Sequence, residues 1–328
     1  MRRAWTALTA LTLCACTPRE EPPAPQALPR LLELGPAPRP DRPPVRLLEA
    51  GAEPRAALRY NPAPEGPRSL ELTLEVTRWA SAGGLEAPAV TLPPLRLRLG
   101  LEPSTPQEDG SLRLAFRLEE AEAGPRDDAP PALLESVGAD LAGLKGLTGA
   151  WVVDPRGPAR EGEVEPSAGT AFKLLRDEAE ELRQQLLGLV VPLPAEPVGL
   201  GARWEARREI AWVWMRLGTE THAFRGQQTA TYRLTGLDEE RLQLELELTR
   251  VFPSQALLGG QEIGPAAKLE SMETRGSGRL RVNLAALLPI ASLELTTQRR
   301  MTAQRRGPGT PGETSTSTTR MKMTAIPR

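Results

Sequence analysis

The chain has 328 residues, of which 40% are hydrophobic, 25% charged and only 4% aromatic, with 34 prolines. Its 41 basic and 42 acidic side chains leave a formal net charge of -1, a balance that excludes a general nucleic-acid binder with a concentrated basic face. The two cysteines both fall within the first sixteen residues and there is one histidine, so the rest of the chain has no disulfide, no thiolate zinc site and no cysteine nucleophile.

In chain order, Arg2 and Arg3 precede an uncharged stretch that ends in Leu13-Cys14-Ala15-Cys16, the pattern of a bacterial lipoprotein signal. The stretch is shorter than the roughly 20 residues of a membrane-spanning helix. Residues 1–15 are therefore predicted to be cleaved, leaving Cys16 as the lipidated first residue; the competing reading is an ordinary secretory signal cut nearby. Several acyl chains, each gaining about 0.8 kcal/mol per buried methylene, suffice for stable attachment to a membrane. Thr17 stands where many Gram-negative lipoproteins held at the inner membrane carry aspartate. By that resemblance the expected location is the outer membrane, facing the periplasm or the cell surface.

Residues 16–55 are rich in proline, among them Pro22, Pro23, Pro36, Pro38, Pro40, Pro43 and Pro44, and read as a tether. Extended at about 3.1 Å per residue, such a chain reaches on the order of 100 Å. Apolar fragments at 28–34 and 45–48 are candidates for docking on the domain that follows.

From residue 56 to 328 alternation of apolar and polar side chains dominates, which buries one face of each strand and wets the other. Leu70, Leu72, Leu74 and Val76 form one such run, Leu95, Leu97 and Leu99 another, and Leu112, Leu114, Phe116 and Leu118 a third. Leu242, Leu244, Leu246 and Leu248 follow, then Leu280, Val282 and Leu284, then Leu293 and Leu295. Helical spacing occurs twice. A long helix is predicted over 171–190 from Phe172, Leu175, Ala179, Leu182, Leu186 and Leu189, and a shorter one over 132–144 from Leu133, Leu134, Val137, Leu141 and Leu144. The predicted fold class is α+β, mainly β: either one large curved antiparallel sheet or two similar half-barrel-like sheet units, packed on one long and one short helix. The two units would be a pseudo-repeat over 57–168 and 195–328 joined by the helix 171–190. Its marks are Gly66-Pro67-Arg68-Ser69 against Gly201-Ala202-Arg203-Trp204, and a glycine-led strand pair in each half, near Gly149 and near Gly278.

Several residues carry candidate chemistry. Ile210-Ala211-Trp212-Val213-Trp214-Met215 is apolar on both faces of a strand, so it is either a central strand covered on both sides or the lining of a cleft for an acyl chain, sugar or apolar peptide. Trp79 and Trp151 join it as speculative ligand-binding residues. His222 is the one histidine from which a serine triad would have to be built, and an exposed or edge-strand position is the plainer reading. The acidic pairs Glu119-Glu120 and Asp127-Asp128 and the run Asp238-Glu239-Glu240 suit strand ends and turns. Gly199-Leu200-Gly201 lacks the Lys-Ser/Thr of a phosphate loop and reads as a turn. Arg299, Arg300, Arg305, Arg306, Arg320, Lys322 and Arg328 make the C-terminal stretch basic, either a solvated strand pair or a surface for anionic polymer or lipid.

The segments Leu58-Arg59-Tyr60 and Pro194-Ala195-Glu196-Pro197-Val198-Gly199-Leu200-Gly201-Ala202-Arg203-Trp204, with the glycine-led pair near the C-terminus, resemble a family of uncharacterised bacterial secreted lipoproteins built on a domain of unknown function. The resemblance covers most of 57–300 and implies a tethered, β-rich envelope domain. The expected function is non-catalytic and without cofactor or metal: an envelope lipoprotein, anchored to the membrane through Cys16, that binds an apolar ligand (lipid or peptide) or an envelope protein partner on a concave sheet. The alternative is a structural or assembly lipoprotein without a pocket, and an envelope hydrolase has the least support.

Overall fold

Leucine at every second position forces extended, pleated backbone whose two faces differ in polarity, and the computed structural model is built of such strands. It describes residues 45–61, 68–102, 105–107, 110–126, 129–157, 159–165, 188–215, 221–256, 267–303 and 313–328, all within one compact unit, Pro40–Arg328. In chain order these are β1 (Val45–Glu49), β2 (Ser69–Ala82), β3 (Leu85–Thr91), β4 (Leu95–Leu101), β5 (Thr105–Pro106), β6 (Leu112–Ala123), α1 (Pro131–Leu144), β7 (Thr148–Val153) and β8 (Ala159–Glu165). They continue as β9 (Arg203–Met215), β10 (Thr221–Asp238), β11 (Arg241–Phe252), β12 (Gln255–Ala256), β13 (Ala267–Asn283), β14 (Ile290–Ala303) and β15 (Glu313–Pro327).

All the strands join one antiparallel sheet in the order β1-β9-β10-β11-β13-β14-β15-β2-β4-β6-β7-β8, with β3, β5 and β12 as short additions. Of the two predicted arrangements, the sheet is the single large one. Its two meanders, β2 to β8 and β9 to β15, meet where β15 pairs with β2, from Ser315 opposite Ala82 to Pro327 opposite Leu70. The C-terminal strand thus lies in the middle of the sheet.

The sheet must curl. Nine interstrand steps separate β9 from β7, on the order of 40 Å in a flat sheet at about 4.8 Å per step. Yet the Trp204 indole of β9 donates to the Pro192 carbonyl (2.8 Å), and the adjoining Leu193 N–H donates to the Arg156 carbonyl just after β7 (2.7 Å). Residues 56–61 close the same end: the Tyr60 N–H reaches the Pro155 carbonyl (2.7 Å) and the Asn61 N–H the Leu284 carbonyl (2.8 Å). The plug is tight at Gly157, whose φ of 93° suits only glycine, and where a Cβ would strike the Val191 carbonyl and the Tyr60 ring.

One continuous core fills the plugged end of the inner face: Leu70, Leu99, Leu118, Leu234, Leu242, Trp204 and Ala325, from seven strands, are almost wholly buried in the same cluster as Leu189, Val191 and Leu193. Each such leucine contributes roughly 1.5–3 kcal/mol. The predicted short helix is α1, opened by Pro131 where a missing N–H costs nothing. Leu141 and Leu144 bury its inner face. Its end is tied to β6, because the Gly146 N–H donates to Leu118 and the Leu118 N–H to Leu147, both at 2.8 Å.

The stretch predicted as tether, 16–55, enters the sheet before its end: Val45, Arg46 and Leu47 pair with Ala206, Glu205 and Trp204 of β9. Proline content set the tether's bounds in the sequence, and the short apolar fragment at 45–48 is what pairing selects. The leader, Cys16 and residues 171–187 of the predicted long helix lie outside the described residues. Residues 188–190, assigned to that helix, are turn and bend.

Candidate functional site

Because the strands are in register, inward positions fall into rows that run across the sheet. Trp204, Tyr232, Leu246, Gly278, Leu293, Met323 and Leu74 form one row from β9 to β2, and Ala206, Ala230, Leu248, Gly276, Leu295, Met321 and Val76 form the next. Both are apolar except for the Tyr232 hydroxyl. The third row breaks the pattern: Arg208, Gln228, Arg250, Thr274, Thr297, Thr319 and Arg78 stand opposite one another in succession. Beyond it, Ile210, Phe252, Met272 and Arg299 resume a largely apolar surface that joins Phe224, Leu269 and Met301 in a second buried cluster.

The row is knitted by hydrogen bonds. Arg208 Nη2 (3.1 Å) and Arg250 Nε (2.8 Å) both donate to Gln228 Oε1, and the Thr274 and Thr297 hydroxyls are 2.8 Å apart. Gln228 and Thr274 are buried, at 6% and 4% exposure. Exposure rises along the row, through half-buried Thr297 and Thr319 to exposed Arg78. Arg299, half-buried beside this open end, has its guanidinium pKa lowered by burial and by the nearby charge of Arg78. Gly226 lets the sheet close here, since a Cβ would stand 2.6 Å from the Phe252 ring.

Two of the predicted tryptophans, Trp79 and Trp151, do not converge. Trp79 is on the outer face, 37% exposed, with the Arg320 guanidinium 5.8 Å over its ring. Trp151 is 1% exposed in the main core, tilted on Phe116 at 5.0 Å. Trp212 and Trp214 stand in β9 opposite Phe224 and His222, and their side chains, like that of His222, lie outside the description. Alternation divides the basic C-terminal stretch between the faces: Arg299 points inward, whereas outside Lys322 meets Glu294 at 3.4 Å and Arg328 meets Glu71 at 2.9 Å. Glu119 is the extra residue of a bulge, and it and Glu120 share Arg98, at 3.5 and 3.6 Å. In the loop at 199–201 the Gly199 N–H serves Ala50 (2.9 Å) and the Gly201 N–H serves Leu234 (2.8 Å), which uses the amides a phosphate would need.

A cavity of about 370 Å³ on the outer face is lined by Glu49, Arg203, Thr231, Arg233, Glu245 and Glu247. The Arg203–Glu49 pair (2.9 Å) and the Arg233–Glu245 pair (3.9 Å) largely neutralise it. Among the described residues no three His, Cys, Asp or Glu side chains gather for a metal, and no helix is long and apolar enough to cross a membrane. The chain matches no family model, no curated protein and no solved structure.

The polar row escaped the sequence reading. Its signal was present as a polar residue in phase with the leucines: Arg250 two places after Leu248, Thr297 two after Leu295, Gln228 two before Ala230. Only pairing turns these isolated interruptions into a row.

Proposed function

We propose that the protein is a non-catalytic envelope lipoprotein, anchored through Cys16, that holds an apolar ligand carrying a polar group on the inner face of its sheet. The polar row carries this reading. A purely structural face is served at least as well by apolar side chains throughout, because a hydrogen-bonded buried polar group brings only a small net gain and buried guanidinium groups carry a desolvation cost. Interrupting a leucine face with Arg208, Gln228, Arg250 and Thr274 fits a surface that must recognise something polar between two apolar zones. The plugged end at Tyr60, Val191 and Trp204 makes that surface rigid, as recognition requires.

The test has two arms. Full-length protein stripped of endogenous lipid is titrated with dodecanol and followed by tryptophan fluorescence; saturable binding, weakened by Phe252→Ala, is expected, and a flat response overturns ligand holding in favour of a scaffold. Fractionation of cells carrying Cys16→Ser addresses the anchor. The variant should leave the membrane fraction, and unchanged sedimentation would remove the lipid attachment.

A further inference from the structure

We propose that the free edge of β9, from Arg207 to Met215, is the interface with a second copy of this chain: the two β9 strands pair antiparallel about a two-fold axis at Ala211 and join two molecules into one continuous sheet. This goes beyond the ligand-holding reading and does not depend on it.

The two margins of the sheet are built differently. β8, at one margin, carries Arg160, Glu161, Glu163 and Glu165 among its seven residues, and charge of that density keeps a bare edge from recruiting another strand. At the other margin β1 covers only the start of β9, pairing with Arg203 to Ala206, whereas β10 pairs with the whole of β9 on its other side. Among the described residues no strand pairs with the free side of β9 from Arg207 to Met215. Burial marks where the cover stops: Trp204 and Ala206 are buried, Arg208 and Ile210 on the same face are only half-buried, and Arg207, Glu209 and Ala211 are exposed. The chain that precedes β1 cannot extend the ladder over this edge. Pro43 and Pro44 have no N–H, and two in succession ensure that one falls where the ladder needs a donor. Past Glu209 the edge, Ile210-Ala211-Trp212-Val213-Trp214-Met215, has no charge at all, the kind of edge that accepts a further strand.

The strand that fits this edge is the edge itself. With the axis at Ala211, Arg207 stands opposite Met215, Arg208 opposite Trp214, Glu209 opposite Val213 and Ile210 opposite Trp212, so the free stretch is paired throughout and no charge opposes its like. Moving the axis to Ile210 or Trp212 leaves part of each edge unpaired. Opposed residues are separated by an even number of positions, so the inner face of one copy runs into the inner face of the other. Because each molecule uses up its free edge, the assembly closes at two copies. One short ladder is small for an interface, which sets the expected dissociation constant in the micromolar range.

Full-length protein in detergent is followed by sedimentation velocity up to about 100 µM, where a reversible equilibrium between monomer and dimer is expected. Ala211→Lys sets like charges on the axis and should weaken the dimer about fivefold or more. Ala211 is exposed, so the denaturant midpoint of the monomer should stay as it was. Ala211→Cys stands opposite itself at a separation that a disulfide spans. Mild oxidation should therefore give covalent dimers well above the background of the unaltered chain and of Leu85→Cys, an exposed position on β3. Glu209→Cys and Val213→Cys should crosslink when the two variants are mixed and not when either is alone. A protein that stays monomeric, a dimer that survives Ala211→Lys, or cysteine variants that join as readily alone as mixed overturns the proposal. Crosslinking of Ala211→Cys in intact cells to a different polypeptide would give the edge to another partner and overturn it equally. Where Ala211→Lys does not fold, the mixed-cysteine result decides.

Discussion

At the residue scale, the two tyrosines facing the plug couple the fold to alkaline pH. Tyr232 is buried and stacked on Trp204 at 5.6 Å, and burial pushes its phenol up to about 12. Burial moves Tyr60, whose hydroxyl donates to the Val191 carbonyl at 3.2 Å, in the same direction. A folded-state pKa above the unfolded value of about 10 means the neutral phenol is the form the fold favours. Its stabilisation is complete below pH ~10 and is lost as pH rises through the folded pKa. Denaturant midpoints should therefore hold steady to about pH 10 and fall between there and about 12, in step with tyrosinate absorbance. Tyr232→Phe should retain its midpoint further into alkali, with Tyr60 still setting a limit; an unchanged alkaline profile would contradict the burial of Tyr232. Leucines on the same face act through packing alone. Leu234→Ala, at a position with no exposure, should lower unfolding free energy by about 2–5 kcal/mol without moving the pH profile.

At the element scale, the strands most legible from the sequence are those whose outer face is charged and whose inner face is leucine. β11 is the clearest, with Leu242, Leu244, Leu246 and Leu248 buried between exposed Arg241, Gln243, Glu245 and Glu247. β4 and β6 were equally plain, and α1 was found to within one residue because proline and glycine bound its apolar spacing. β15 was harder to see: Thr314 to Thr319 are hydroxyl residues on both faces, so hydrophobic alternation is absent and only pairing with β14 and β2 makes them a strand. β3, with most residues exposed on either side, gave no period for the same reason. The packing of β10 on β11 offers a test at this scale. Gly226→Ala should destabilise by about 1–3 kcal/mol, because the new methyl meets both the Phe252 ring and the Val251 carbonyl. Phe252→Leu should recover part of that loss in the double variant, a non-additivity that denaturation of all four proteins would measure. Strict additivity would mean that the two strands do not meet at Gly226 as described.

At the scale of the whole molecule, the fold depends on a seam between chain segments about as far apart in sequence as the domain allows. Arg328 and Ser69 exchange backbone hydrogen bonds of 2.8 and 2.9 Å, and the Arg68 N–H donates to the Arg328 carbonyl at 2.7 Å. β15 is flanked on both sides, by β14 and by β2, so without it the two meanders lose the hydrogen bonds that join them. Each would then expose a long unpaired edge, which is a template for aggregation, and the common core around Leu70, Leu293 and Met323 would be cut open. Removing residues 313–328 should therefore abolish cooperative unfolding and leave a chain that aggregates, whereas loss of an edge strand of comparable length would be expected to cost only its own contacts. A discontinuous pair of chains tests the same point without altering composition. Residues 1–312 co-expressed with 313–328 as a separate peptide should recover a folded, protease-resistant complex, since β15 needs neighbours rather than covalent continuity. Pairing of such distant segments is slow, because loop-closure entropy is met before the contacts form. Refolding of the intact chain should accordingly lag the formation of either meander in hydrogen exchange, with amides of β2 and β15 protected last. Protection of those two strands ahead of β10 and β11 would show that the seam nucleates the sheet instead of closing it.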